Sequence, residues 1–169
     1  MTRKVDRIYI HQSGFPYGTT KATKEYHLSK GWDDIGYHFV IENGYSSGTS
    51  YKYDDRLDEL DGATSVGRNI DIPGAHVQGD NETSIGIMLI GDSWDGMTKK
   101  QMDSLIKLVK WLVAKYNIDI ENVMGHFETK KVPTEKSCPF SEDERYLAAS
   151  GMEVFRKLIA AQIVKDSVV

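Results

Sequence analysis

Residues 85–90 read Ile-Gly-Ile-Met-Leu-Ile, an apolar run in which polar and apolar positions do not alternate. A strand with one face in water would alternate, so this run predicts a strand buried on both faces. Such strands lie in the middle of sheets that carry helices on both sides. The run therefore predicts an α/β fold, with a mixed central β-sheet flanked by helices.

Three further strands are predicted around this central one, over residues 7–11, 37–42 and 122–125. In the first of them, Ile8 and Ile10 share one face, and the residues that alternate with them share the other. An Asn-Gly pair, which is a strong turn signal, closes the second strand. The third strand is short and leads directly into a histidine.

The clearest predicted helix covers residues 98–116. Thr98 and Gln101 are placed as a capping box at its start. Apolar residues then recur at helical spacing, which predicts one buried stripe made of Met102, Leu105, Ile106, Val109, Leu112, Val113 and Tyr116.

Two other helical segments and one surface excursion complete the predicted organisation. Residues 20–30 predict a helix, and residues 141–164 predict a mainly helical segment with a break at Gly151. The stretch 45–61 is acidic and rich in Tyr, Gly and Ser, which is typical of a surface excursion. We expect one domain over residues 1–169.

Composition excludes several classes of protein. The net charge of -4 argues against a dedicated nucleic-acid binder, and no apolar run approaches the roughly 18 residues of a membrane span. Residues 1–7 are polar and lack the apolar stretch of a signal peptide, so we expect synthesis in the cytoplasm and no stable membrane insertion. The single cysteine, Cys138, excludes an internal disulfide.

Three residues that could carry chemistry are His11, His126 and Cys138. Each histidine follows or ends a predicted strand, and strand ends are where α/β sheets place their ligands. Two imidazoles and one thiolate suit zinc and leave a fourth position for water. From spacing alone the zinc prediction is weak, since a lone cysteine is most often a buried apolar residue, and a nucleophile is the other alternative.

Four sequence blocks, in order, resemble the zinc-dependent N-acetylmuramoyl-L-alanine amidases of type 2. The blocks are residues 10–13, residues 31–41, the Ala-His, Gly, Asn and Ser-Ile-Gly-Ile positions within 75–87, and residues 125–126 with 136–140. That family includes phage lysozyme-type endolysins and animal peptidoglycan recognition proteins. The resemblance covers about residues 7–145 and implies an amidase-like fold, with residues 141–165 as a C-terminal helical segment.

The resemblance also implies the roles of individual residues. It assigns His11, His126 and Cys138 as the ligands of one zinc ion per chain. It assigns Tyr37 and Lys136 as catalytic residues. A cleft-lining, substrate-binding role is implied for one further residue, His76, while His27 and His38 are expected to be structural.

The implied function is that of a phage endolysin, which cuts the amide bond between N-acetylmuramic acid and L-alanine in bacterial peptidoglycan. Such a protein would act as a monomer and reach the periplasm and cell wall through a membrane pore, causing host lysis. Three alternatives stay open. They are a peptidoglycan-binding module with little activity, a regulator that binds the phage RNA polymerase, and a cysteine peptidase acting through Cys138.

Overall fold

The computed structural model describes residues 3–93, 96–129, 138–139 and 145–166. Helices separate most of the strands along the chain, as the sequence predicted. The elements are β1 (Arg7–Gln12), α1 (Thr20–Ser29), β2 (Phe39–Asn43), α2 (Gly48–Lys52), β3 (Asp61–Val66), β4 (Ser84–Leu89), α3 (Lys99–Tyr116), β5 (Val123–Gly125) and α4 (Arg145–Asp166).

The five strands form one mixed sheet in the order β3-β2-β4-β1-β5. β4 lies at its centre and runs parallel to both of its neighbours, β1 and β2. β5 extends the parallel part beside β1, whereas β3 pairs antiparallel with β2 at the opposite edge. Every residue of β4 is buried, which confirms the prediction of a central strand covered on both faces.

The main core lies between the sheet and the helices α3 and α4. The predicted capping box starts α3, and Leu105, Val109 and Leu112 are its buried apolar residues. Met152 and Phe155 bring α4 onto the same core. Ile8, Ile10, Phe39, Ile41, Ile85, Ile87 and Leu89 cover this face of the sheet.

The other face of the sheet has a smaller apolar cluster of Ile35, Val40, Met88 and Ile90. A strand over residues 37–42, as predicted, would place Tyr37 and Phe39 on the same face, but Tyr37 packs against this cluster and Phe39 packs on the α3 side. The reason is that β2 begins at Phe39, so the alternation of strand faces does not extend back to Tyr37. This face carries the chemistry.

Two predictions about secondary structure were wrong. α4 continues through Gly151 without a break. A helical glycine costs about 1 kcal/mol relative to alanine, and the burial of Met152, Phe155 and Ile159 offsets that cost. The second error is the omission of β3, which was not predicted because it is largely polar and mostly half-exposed.

The surface excursion at 45–61 connects the antiparallel neighbours β2 and β3. It contains α2, and residues 51–59 are exposed, as expected for a surface segment. Tyr45 is the exception, since only 7% of its surface is exposed. In the described part of the chain, no helix has both the length and the apolar character needed to cross a membrane.

Candidate metal centre

His11, His126 and Cys138 lie together in the structure. The atoms that could bind a metal, one from each side chain, are all within 4.8 Å of one another. His11 is buried, whereas His126 and Cys138 are half-buried. The site is therefore partly open to solvent.

The sheet brings the two histidines together. His11 is the penultimate residue of β1, and His126 directly follows β5. β1 and β5 are parallel neighbours, with Ile10 opposite Gly125, so both strands deliver their histidines to the same edge of the sheet. The two imidazole ring centres are 4.6 Å apart.

Backbone hydrogen bonds hold Cys138 beside them. The Gln12 N–H donates to Cys138 Sγ at 3.2 Å, and the Phe127 N–H donates to the Cys138 carbonyl at 3.0 Å. Gln12 and Phe127 each directly follow one of the two histidines in the chain. The sulfur is thus positioned by the same two segments that carry the imidazoles.

The donor set fits a zinc ion. Zinc favours nitrogen and sulfur ligands, with bond lengths of about 2.0–2.3 Å and tetrahedral geometry. Ligand atoms within 4.8 Å of one another are close enough to share one such ion after small side-chain adjustments. Three protein ligands leave the fourth position for water or substrate, which is typical of catalytic zinc.

Tyr37 lies next to this group. Its ring centre is 5.1 Å from that of His11 and 6.4 Å from that of His76. Burial raises the pKa of the Tyr37 hydroxyl, and the neighbouring charge of Cys138 raises it further. Tyr37 therefore keeps its proton at neutral pH and can donate a hydrogen bond.

His76 lies behind His11 and is only 8% exposed. Its Nδ1 is 3.2 Å from His11 Nε2, and its Nε2 is 3.4 Å from Ser84 Oγ. Burial holds the pKa of His76 well below its usual range, so the ring is neutral at pH 7. Both ring nitrogens face protein atoms, and contact with substrate stays a prediction.

His38 and His27 have structural partners. The Gly86 N–H donates to His38 Nδ1 at 3.0 Å, and burial lowers the pKa of His38 to about 4. The Gly36 N–H donates to His27 Nδ1, and the His27 ring packs 4.4 Å from Trp32. Both histidines therefore help to fix the backbone around the centre.

Glu128 is close to His126 in sequence, but other groups occupy its carboxylate. The Gly125 N–H donates to Glu128 Oε2 at 2.8 Å, and Arg156 of α4 donates to both carboxylate oxygens at 3.0 Å. The pair fixes α4 to the segment that carries His126. This arrangement favours an anchoring role over that of a general base.

The sequence did not identify all the residues that support the centre. Lys136, the second predicted catalytic residue, lies outside the described residues. The backbone of Gln12 and the Ser84 hydroxyl were not assigned roles, although both residues fall within the motif blocks. Only the folded structure shows what they contact.

Comparisons with known proteins agree with this geometry. The profile of the N-acetylmuramoyl-L-alanine amidase family matches residues 1–141. The chain belongs to this family. Membership confirms the resemblance that the sequence motifs indicated, together with the amidase-like α/β fold.

Individual relatives include both viral and animal proteins. The endolysin of Klebsiella phage KP32 is 28% identical over 158 residues, covering 85% of this chain and 86% of that protein. Peptidoglycan-recognition protein LB of Drosophila melanogaster is 31% identical over 144 residues, covering 78% of this chain and 53% of that protein.

A solved structure has the same fold. The N-acetylmuramoyl-L-alanine amidase LysC from Clostridium intestinale superposes with a TM-score of 0.64 at 26% identity. The match covers 89% of this chain and 87% of LysC.

Proposed function

We propose that this chain is a zinc-dependent phage endolysin that hydrolyses the amide bond between N-acetylmuramic acid and L-alanine in bacterial peptidoglycan. Membership of the amidase family, with endolysins among its relatives, supports the reaction. The observation that carries the zinc assignment is the group of His11, His126 and Cys138 at the edge of the sheet. A structural zinc site would normally have four protein ligands, so a group of three among the described residues favours a catalytic site.

At such a site a zinc ion supplies Lewis-acid polarisation and a bound water of lowered pKa. The chain's own residues then have separate tasks. The Tyr37 hydroxyl, protonated at neutral pH, is placed beside His11 to hold water or the carbonyl oxygen of the scissile amide. Lys136 would stabilise the negative charge that develops on that oxygen, because an ammonium group donates hydrogen bonds but cannot coordinate a metal.

The experiment that tests the reaction is mass analysis of purified peptidoglycan after digestion. We expect glycan strands without peptide stems, and free stems that begin with L-alanine. Products cut within the peptide stem would instead support the cysteine-peptidase alternative. Undigested but bound peptidoglycan would support the binding-module alternative.

Metal removal separates the same alternatives by a second route. Dialysis against a chelator should abolish turnover, and stoichiometric zinc should restore it, because the proposed hydrolysis depends on the Lewis-acid chemistry of the metal. A cysteine peptidase would survive chelation in a metal-free buffer but would lose activity on thiol alkylation.

The site of action follows from the substrate. We propose that the protein accumulates in the host cytoplasm and passes through a membrane pore to the cell wall, where hydrolysis causes lysis. The monomeric state and the binding of a phage RNA polymerase stay predictions, which sedimentation and a pull-down with purified polymerase would test.

A further inference from the structure

A chain of hydrogen-bond partners runs from the backbone to His11. The Ser84 hydroxyl is 2.7 Å from the Asp80 carbonyl oxygen and 3.4 Å from His76 Nε2. His76 Nδ1 is in turn 3.2 Å from His11 Nε2. Ser84, His76 and His11 are all buried, so water does not compete for these contacts.

The direction of donation along this chain is determined by the first partner. A backbone carbonyl can only accept, so the single hydroxyl proton of Ser84 goes to Asp80. Ser84 Oγ must then accept from His76, which places the His76 proton on Nε2. A neutral imidazole carries one proton, so His76 Nδ1 is an acceptor and His11 Nε2 is the donor.

The position of the His76 ring is fixed by glycines and by one asparagine. A Cβ atom on Gly86 would lie 2.5 Å from His76 Cδ2, and one on Gly74 would lie 2.4 Å from the same atom. The ring therefore occupies a space that any side chain on these two residues would fill. The Asn81 side chain accepts from the backbone N–H groups of His76 and Val77, both at 2.9 Å.

From this arrangement we infer that His76 is a positioning residue, which holds His11 in the tautomer whose Nδ1 can coordinate zinc. The inference rests on the proposed zinc site and goes beyond it. A partner that accepts from the non-coordinating nitrogen of a histidine ligand fixes its tautomer and ring orientation and raises its basicity. Carboxylates or carbonyls are the usual acceptors. Here the acceptor is a second histidine, which is itself hydrogen-bonded to Ser84.

The tautomers can be read directly by NMR of the imidazole nitrogens in metal-free protein. Long-range proton–nitrogen spectra of the ¹⁵N-histidine-labelled chain should assign the Nε2–H tautomer to both His11 and His76. If His76 only packed against His11 and accepted no hydrogen bond from it, His76 would impose no tautomer on His11. An Nδ1–H tautomer at His11 would overturn the inference, whether or not the protein binds zinc.

Zinc affinity of paired variants provides the second test. In His76→Leu the acceptor for His11 is lost, and we expect zinc affinity, measured by competition with a chelating dye, to fall about 10–100-fold. His76→Asn places an amide oxygen near the position of Nδ1, so it should recover most of that loss. Gln101→Leu removes a buried polar side chain of α3 that donates to the carbonyls of Ile41 and Ile90, and it should leave zinc affinity unchanged.

The possible failures are distinguishable. If the wild-type chain binds no zinc, the proposed function fails, and the NMR tautomers still decide the inference. If the wild type binds zinc and His76→Leu binds it equally well, the inference fails alone. If His76→Leu does not fold, His76→Asn and the tautomer measurement remain as tests. Equal loss of affinity in His76→Asn and His76→Leu would also count against the inference, since no acceptor effect would remain.

Discussion

The two faces of β1 are equally buried but are held by different interactions. Ile8 and Ile10 face α3 and have no exposed surface, and Tyr9 and His11 on the opposite face are only 1% exposed. The isoleucines pack within a large apolar cluster, where contacts are many and non-directional. By contrast, Tyr9 and His11 are held by directional hydrogen bonds. The Tyr9 hydroxyl donates to a carboxylate oxygen of Asp80 at 2.7 Å, and His11 is hydrogen-bonded to His76.

This difference predicts two kinds of mutational effect within one strand. Substitutions on the α3 face should change the free energy of unfolding and leave the centre's chemistry intact. Substitutions among the groups around His11 should change metal binding or turnover while the fold persists, because each of those groups has a specific partner. If substitutions on both faces of β1 had the same effects on unfolding, metal binding and turnover, the assignment of the site would be contradicted.

The largest effect is expected from Cys138→Ser. A hydroxyl is a far poorer zinc ligand than a thiolate, so zinc affinity should fall by more than about 100-fold, beyond the loss typical of supporting partners. Elemental analysis and dye competition would measure this, and circular dichroism would show an unchanged fold. Stoichiometric zinc with full turnover in Cys138→Ser would remove Cys138 from the ligand set.

Ile10→Ala tests the opposite face, one residue away from His11. The side chain is fully buried, so the free energy of unfolding should fall by about 2–5 kcal/mol. Urea unfolding should be measured on zinc-free protein, because a bound metal would add its own stabilisation. Ile10→Val, as the milder control, should cost about 0.5–1.5 kcal/mol. Loss of zinc from folded Ile10→Ala would show that the two faces are coupled.

Tyr37→Phe should keep zinc and lose turnover by roughly 100-fold, the lower end of what a positioned proton donor contributes. The substitution removes only one hydroxyl from a half-buried side chain, so the fold should persist. Initial rates on washed cell walls would give the turnover, and peptidoglycan pull-down should show that binding survives. Zinc loss in this variant would mean that Tyr37 supports the metal and does not act on substrate.

Lys136→Ala should also retain zinc and fold. Removing one donor that stabilises a developing oxyanion costs about 3 kcal/mol, or roughly 100-fold in rate. Lys136→Arg, which retains the charge, is the matched control and should recover part of the rate. An unchanged rate in Lys136→Ala would exclude it from the mechanism.

How far the sequence predicted the fold depends on whether the signal was local. The run in β4 and the apolar stripe of α3 are periodic within one element, and both were predicted correctly. β3 has no such pattern, and its pairing with β2 is a tertiary contact. The continuity of α4 through Gly151 depends on packing against the core.

The same distinction applies to the site. His11, His126 and Cys138 stand in motifs, and the structure brings all three together. The contact between His76 and His11 could not be read from the sequence, because it joins residues that are 65 positions apart. The contact also depends on the space that Gly74 and Gly86 leave for the His76 ring, and matching sequence motifs does not reveal that space.

The smallest effect on the centre is expected from removing the excursion between β2 and β3. Asn43 and Asp61 are direct partners across these antiparallel strands, so an Asn-Gly turn can replace residues 44–60. The Gly18 N–H would lose its bond to the Tyr45 carbonyl, which should cost about 1–3 kcal/mol of stability. Zinc affinity should be unchanged, since none of these residues belongs to the ligand group.

We expect turnover on small peptidoglycan fragments to match the wild type, and hydrolysis of whole walls to change if the excursion forms the rim of the cleft. If the deletion variant hydrolyses both substrates at the wild-type rate, the excursion does not contribute to substrate binding. If the variant loses zinc, the excursion helps to hold the metal ligands.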